Sequence, residues 1–459
     1  MPEGLQMVMA LLIGIAALIF MIVKTKIHTF VALLVACVAI GVMGGMSPAS
    51  IIAAIQGGFG TTLGNIGIII GFGVMMGVIF ETSGAAERMA RTFLKLFGKN
   101  REEPALALTG FIVSIPVFCD SGFIILHPIA KTLSRKIKKS IVGLSVPLAA
   151  GLVITHSMVP PTPGPLGVAA VFGVDVGQYL LWGLLICIPM AVATTIYGKW
   201  LGRRIYQLPA EEGDGWARPP YSAPRYDLIA DEAERRIPST FNAFLPLVAP
   251  IILILINTVM NASLSAEAKQ ATAVQVFTFL GTPIIAVGIG LLLSIYVLAF
   301  RSERKAVLAD MEKGMKTSGM ILLVTGGGGA LGRVLTDSGA GVYIAQQIAE
   351  TPVPVILLPF IIATLVRFVQ GSGTVAMITS ASITAPIVVA AEGNLLLAAF
   401  AASAGSLFFS YFNDSYFWVI NRLCGIDNAK EQIRVWSVTT TIAWAVGLVI
   451  LLVASVFVG

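Results

Sequence analysis

Charge is what this sequence has least of. Asp, Glu, Lys and Arg make up 12% of its 459 residues, about half the ~25% usual in soluble domains. A soluble chain of this length needs polar surface that is missing here, which excludes soluble enzymes and secreted scaffolds. Cysteine is scarce as well: Cys37, Cys119, Cys187 and Cys424 lie in or beside apolar stretches, without CxxC or Cys/His spacing. Neither a disulfide framework nor a metal site is expected, and the four thiols read as small core residues. HExxH, GxSxG and Walker patterns are also missing, so no enzyme chemistry and no cofactor are expected. The N-terminus has no basic n-region and no small-residue cleavage site before Lys24 and Lys26. It reads as a first permanent span and not as a signal peptide.

What is present is apolar sequence, 56% of the chain, in runs of about 20 residues that match the thickness of a lipid bilayer. Ten crossings are predicted, at 5–23, 27–45, 61–81, 140–165, 178–198, 240–261, 274–299, 317–335, 394–420 and 435–457. Every Lys and Arg except Lys269, Arg333 and Arg367 falls on one side of this topology. Short cytoplasmic loops collect basic residues, so that side is the cytoplasm. The net charge of +6 records topology, and no nucleic-acid partner is implied.

Two further apolar stretches, 104–130 and 353–388, have polar, glycine-containing breaks at their centres. The first lies between basic clusters and must leave on the side it enters; at ~1.5 Å per residue its two arms reach about mid-bilayer. It reads as a re-entrant hairpin, with Pro116 breaking the entering arm and Cys119-Asp120-Ser121-Gly122 at the tip. The second, bracketed by Glu350 and Glu392, has its tip at Gly371-Ser372-Gly373-Thr374 and is expected to enter from outside.

The two halves also match each other. Segment 76–90 aligns with 331–345, Ser121-Gly122 with Ser372-Gly373, Gly173 and Asp175 with Gly425 and Asp427, and Trp182 with Trp436, at offsets of 251 to 255. Five crossings precede the charged connector and five follow it, and an odd number inverts the second unit. The expected domains are a first repeat at 1–204, a solvated cytoplasmic linker at 205–238 and a second repeat at 239–459. The fold class is therefore an all-α polytopic membrane protein: an inverted repeat with two re-entrant helical hairpins and two broken helices, the architecture of secondary transporters.

Non-helical backbone at membrane depth survives only where protein or a water-filled cavity surrounds it, so the breaks mark the site. In the first half, Thr155-His156-Ser157 runs into Pro160-Pro161-Thr162-Pro163-Gly164-Pro165 inside the fourth crossing, where prolines forbid helix. In the second, Ser410-Tyr411-Phe412-Asn413-Asp414-Ser415-Tyr416 interrupts the ninth. Two tips and two breaks are expected to meet at one polar site, where helix N-termini favour an anion.

The candidate residues divide by chemistry. Arg367 offers a planar fork to a substrate carboxylate, or pairs with an acid. Asp120, Asp414 and His156 are titratable groups at membrane depth and candidate proton carriers; their structural alternatives are capping and core hydrogen bonding. Ser121, Thr155, Ser157, Thr162, Ser372, Thr374, Asn413 and Ser415 suit a polyol, and Gly122, Gly164 and Gly373 have the small size that tight turns need. Arg333 reads as snorkelling to headgroups, His28 and His127 as structural, and Gly326–Gly329 as a close helix contact.

Thr155-His156 followed by Pro160-Pro161-Thr162-Pro163-Gly164-Pro165, the run Gly326-Gly327-Gly328-Gly329-Ala330, Asp337-Ser338-Gly339, and Asn413-Asp414 before Phe417-Trp418 resemble the gluconate:proton symporter family of bacterial permeases. The resemblance covers nearly the whole chain. It implies proton-driven import of sugar acids such as gluconate across the bacterial inner (cytoplasmic) membrane. It further implies an elevator-type homodimer within the ion transporter superfamily. Gluconate carriers typically have an aromatic-Glu-Val-Gly first tip, and often a His where Thr162 stands. Both departures resemble a branch for shorter aldonates such as threonate or erythronate. The alternatives are a sodium-coupled carboxylate transporter, which Ser/Thr/Asn-rich tips would serve, and a channel, which the repeat and paired hairpins oppose.

Overall fold

The computed structural model describes residues 27–210, 215–224, 237–265, 267–300, 302–339, 354–411 and 414–458, with scattered positions between 6 and 25. The protein is mostly helical. In the first half α1 (Thr29–Met43) and the long α2 (Pro48–Thr82) are followed by α3 (Ala85–Phe97), α4 (Glu102–Val113) and α5 (Cys119–Ile137). Next come α6 (Ile141–Met158), α7 (Pro163–Phe172) and α8 (Val176–Arg204). A two-residue pairing of β1 (Leu208–Pro209) with β2 (Trp216–Ala217) lies in the connector. The second half contains α9 (Thr240–Ser263), α10 (Thr272–Leu280), α11 (Pro283–Leu293) and α12 (Arg304–Asp337). It continues with α13 (Leu357–Gln370), α14 (Gly373–Ala390), α15 (Leu395–Gly405) and α16 (Ser415–Leu423). The short α17 (Ala429–Gln432) runs through a π-turn into α18 (Val438–Val458).

Local chemistry sets these boundaries. Ser47 caps α2 by accepting from Ser50 N, with Pro48 at the first helical position. Asp175 caps α8 the same way from Gln178 N. Gly173 ends α7 and Gly371 ends α13 at φ of +70° and +88°, left-handed values that a side chain resists.

Among the described residues five helices are individually long and apolar enough to span a bilayer, or seven if each bent pair counts as one. The ten predicted crossings are not all of that kind, for physical reasons. Segment 27–45 yields only 15 helical residues, the crossing at 394–420 is split between α15 and α16, and 5–23 lies largely outside the described residues. The crossing at 274–299 is bent by 65° between α10 and α11.

Both hairpins are present as helix pairs, α4 with α5 and α13 with α14, although residue 353 lies outside the described set. The first tip differs from expectation. Its turn is 114–118, closed by Ser114 Oγ donating to Val117 O at 3.1 Å, and Cys119-Asp120-Ser121-Gly122 form the first turn of α5. The second turn is Gly371-Ser372, the first half of the predicted tip, and Gly373-Thr374 open α14. Both helix breaks also occur where proline or polar sequence predicted them, at 159–162 and between α15 and α16.

The connector departs from a solvated linker in its first residues, because Ile205, Tyr206, Gln207 and Leu208 are buried. Gln207 Nε2 donates to Cys424 O at 2.5 Å and Gly425 O at 2.8 Å, and Arg218 grips Glu431 with two bonds of 3.0 and 2.6 Å. These bonds clip the end of the first half to the α16–α17 turn of the second.

One continuous core joins the two halves. Tyr179 of α8 stacks on Phe400 of α15 at 4.3 Å, and its hydroxyl shares a 2.6 Å hydrogen bond with Ser403. Glycines allow the closest crossings: a Cβ on Gly151 of α6 would meet Phe111 N of α4 at 2.9 Å. The Gly326–Gly329 run serves the α2–α12 contact, where a Cβ on Gly58 would meet Ala330 Cα at 2.9 Å. All four cysteines are buried and free. Arg333 pairs with Asp337 one turn away at 2.9 Å.

Candidate functional site

The second turn, the first turn of α5, the end of α6 and the break before α16 meet around one cavity of about 340 Å³. Three helices begin at its wall: α5 through Cys119 and Asp120, α14 through Gly373 and Thr374, and α16 through Ser415 and Tyr416. Two helices end there, α6 at His156 and Ser157 and α15 near Ser406. A helix N-terminus carries a partial positive charge and unpaired N–H groups. That of α5 has no side-chain cap at Phe118, so its positive end faces the cavity without a capping oxygen from that position.

Arg367 supplies the cavity's guanidinium and is 6% exposed. Its Nη2 lies 2.5 Å from Asp414 Oδ2, its Nη1 donates to Gly371 O, and its Nε has no partner among the described residues. The sequence leaves Arg367 without an acidic counterpart on the matching hairpin arm; the structure supplies one from the broken helix instead. Asp414 also caps α16, accepting from Tyr416 N at 3.2 Å, and accepts from Ser410 Oγ. Ser410 in turn receives Trp436 Nε1 at 2.9 Å. A hydrogen-bonded chain thus runs from Trp436 through Ser410 and Asp414 to Arg367 and the second turn.

Asp120 and His156, also in the cavity wall, are half-buried, each with one buried polar atom left over. Asp120 Oδ1 and His156 Nδ1 have no hydrogen-bond partner among the described residues. The imidazole lies against the Phe118 ring, 5.4 Å between centroids.

Of the residues singled out from sequence, Asp120, His156, Ser157, Arg367, Ser372, Gly373, Thr374, Asp414 and Ser415 line the cavity. Others do not. Ser121 hydrogen-bonds Glu81 of α2 instead, because one step along a helix turns a side chain by about 100°. Gly122 is buried under Leu152, and Gly164 packs against Met377, where a Cβ would come within 2.8 Å of the sulfur. Thr162 donates to Val159 O at 2.7 Å and His156 O at 3.0 Å, closing the break in place of the missing helix bonds. Thr155 is fully buried behind the lining, and its hydroxyl has no hydrogen-bond partner among the described residues. Asn413 lies outside the described residues.

Sequence reasoning missed Ser406, Thr440 and Glu81. Thr440 had a readable signal, the Thr439-Thr440-Thr441 run inside an apolar span. Glu81 had one too, as an acid closing the long apolar α2. Ser406 had none.

A family model described as GntP family permease matches residues 6–457. A Haemophilus influenzae protein named only as an uncharacterized permease is 48% identical, across 98% of this chain and 93% of its own length. A gluconate permease of Pseudomonas aeruginosa is 32% identical across 99% of each chain. Among solved structures, the Alcanivorax borkumensis YdaH transporter shares the fold with a TM-score of 0.60, at 14% identity, over 87% of this chain and 88% of that one.

Proposed function

This chain belongs to the GntP family of permeases, a multi-pass transporter of the inner membrane and not an enzyme, and on that premise we propose that it imports a small sugar acid together with protons. The observation that carries the reading is the convergence of three helix N-termini and the buried Arg367 on one cavity. Such an arrangement suits a carboxylate at one end of a polyol, with Ser157, Ser372, Thr374 and Ser415 facing its hydroxyls. The gluconate permease among the relatives supports the class. The shorter Asp120 side chain at the first turn favours aldonates of four to six carbons, such as threonate, erythronate and gluconate.

Charge balance supports proton coupling. One guanidinium, Arg367, faces Asp120, Asp414 and the incoming carboxylate. Uncompensated charge is costly away from water, and helix dipoles offset only part of it. Protonation of Asp120, whose buried Oδ1 lacks a donor, neutralises one charge. Protonation of Asp414 releases Arg367 to the substrate carboxylate, and His156 is positioned to relay a proton.

The element order α4 to α8 parallels α13 to α18, hairpin then broken helix then long helix, which supports an inverted repeat. In this reading the hairpins and broken helices move as one elevator against a scaffold built around segments 5–45 and 240–299, which also forms the homodimer contact.

Purified protein in liposomes tests the proposal. Uptake of labelled threonate, erythronate or gluconate driven by an imposed pH gradient is expected. Uptake driven only by a sodium gradient would replace protons with sodium, and unsaturable flux would make the protein a channel.

A further inference from the structure

At the basic end of the first half, α4 and α8 frame a second cavity of about 270 Å³ that the transport reading does not use. Its lining has four cations, Lys138, Lys139, Lys199 and Arg203, and one carboxylate, Glu103. That carboxylate is already engaged, since Lys139 Nζ binds Glu103 at 2.7 Å and Glu102 at 2.8 Å. Lys199 and Arg203 stand one turn apart on α8, are exposed, and have no partner among the described residues. The floor is closed by backbone, because glycine meets glycine where α6 and α8 cross: a Cβ on Gly202 would meet Gly143 N at 2.8 Å. The connector forms the outer wall, where Tyr206 Oη donates to Lys138 O at 2.7 Å and shares a 3.0 Å bond with Ser222.

A separate apolar groove of about 350 Å³ lies on the same two helices, beginning about one turn further in, between Pro104, Ala107 and Phe111 of α4 and Ala191, Val192 and Ile196 of α8. From Ile188 to Ile196 it follows α8 for ~12 Å, close to the ~15 Å of one leaflet's hydrocarbon. A free anion would need only the basic cavity. A basic cavity and a lipid-length apolar groove in line along one helix pair fit an amphiphile.

We propose that this cleft between α4 and α8 binds an anionic phospholipid, its phosphate held by Lys199 and Arg203 and an acyl chain lying in the groove. Because α4 is the entering arm of the first hairpin, the lipid wedges that arm against the long helix beside it.

Native mass spectrometry of the full-length protein, exchanged into micelles containing equal phosphatidylglycerol and phosphatidylcholine, tests this. Retention of phosphatidylglycerol over phosphatidylcholine is expected, falling by about fivefold for each basic side chain removed in Lys199→Gln, Arg203→Gln and the double variant. Both side chains are exposed, so the thermal midpoint is expected to hold. Ala191→Trp, which fills the groove and leaves the basic cavity alone, is expected to reduce retention of both lipids. Unchanged preference in the double variant overturns the headgroup assignment. Full displacement of the lipid by millimolar inorganic phosphate makes the cavity a free-anion site and overturns the lipid assignment.

Discussion

Arg367 and Asp414, 47 residues apart in sequence, meet at 2.5 Å between the second hairpin and the second broken helix. The guanidinium is therefore not waiting for an anion. In the proposed reading a substrate carboxylate shares Arg367 with Asp414 or replaces it, which would couple binding to the protonation of Asp414 through one side chain. Arg367 Nε has no partner among the described residues.

The first prediction concerns the fork. Arg367→Lys keeps the charge but cannot hold Gly371 O, Asp414 and a substrate at once. Substrate binding is expected to weaken by ~1–3 kcal/mol, the scale of a charge-assisted hydrogen bond. Calorimetric titration of the variant with the transported aldonate checks this, and wild-type affinity would remove Arg367 from the substrate site.

Asp414→Asn is expected to act in the opposite direction on the empty protein. It leaves a buried guanidinium without its counter-charge, which costs about 3–5 kcal/mol. The unliganded midpoint should fall, and an anionic substrate should raise it more than in the wild type. Asp120→Asn should instead leave the midpoint nearly unchanged and retain substrate exchange, while pH-driven accumulation is lost. An Asp120→Asn protein that still concentrates substrate would clear Asp120 of proton transfer.

What the sequence disclosed about this site was local. Gly371, Pro160-Pro161 and the polar run around Asp414 interrupt apolar segments, and a few adjacent residues are enough to break a helix. The joining of those breaks into one cavity was inferred from the repeat. The Arg367–Asp414 pair was not legible, because it depends on how two separate elements pack. Nor was the phase of α5, where a turn ending at Phe118 instead of Gly122 sends Asp120 into the cavity and Ser121 to Glu81. The connector misled for a related reason: its Pro, Asp, Glu and Arg suggest solvent, yet Gln207 is buried against backbone carbonyls of the other half.

Gly151→Ala tests the seating of the first hairpin. The new methyl would press on Ala107 O and come within 2.9 Å of Phe111 N, and backbone on both helices leaves nothing to yield. Overpacking of this kind costs about 1–3 kcal/mol. A lower thermal midpoint with the same loss in Gly110→Ala is expected, since a Cβ there would meet Leu152 N at 2.9 Å. Unaltered midpoints in both would mean that α4 and α6 separate freely.

Lys139 gives a pH-dependent test outside the membrane. Burial opposes its charge, but hydrogen bonds to Glu102 and Glu103 outweigh it and hold its pKa above the ordinary 10.5. A raised amine pKa contributes stability that is fully present below the unfolded value and is lost as pH rises through the folded one. The wild-type midpoint is therefore expected to hold up to about pH 10 and then fall. Lys139→Met removes the ammonium that Glu102 and Glu103, 5% and 1% exposed, both bind, and leaves the two carboxylates repelling each other. It should lose about 3–5 kcal/mol at neutral pH and show no further alkaline fall from this site.

The proposed inverted repeat makes the sharpest topological prediction, because it would put the open ends of the two hairpins on opposite faces of the membrane. Lys136 closes the first hairpin within a basic cluster, the side short cytoplasmic loops occupy. Glu392 follows the second hairpin, is exposed, and sits in a tight turn at φ +53°. Single cysteines at the two positions, in a chain whose four native cysteines are buried, should react with a membrane-impermeant maleimide from opposite sides: Lys136→Cys only in inside-out vesicles, Glu392→Cys only in intact cells. An elevator also requires the hairpin unit to slide past the scaffold. A cross-link between the first hairpin and α9, which line one cavity through Ile115 and Leu247, should stop transport while substrate still raises the thermal midpoint. Labelling of both cysteines from one face would end the inverted-repeat reading, and full transport after complete cross-linking would end the elevator.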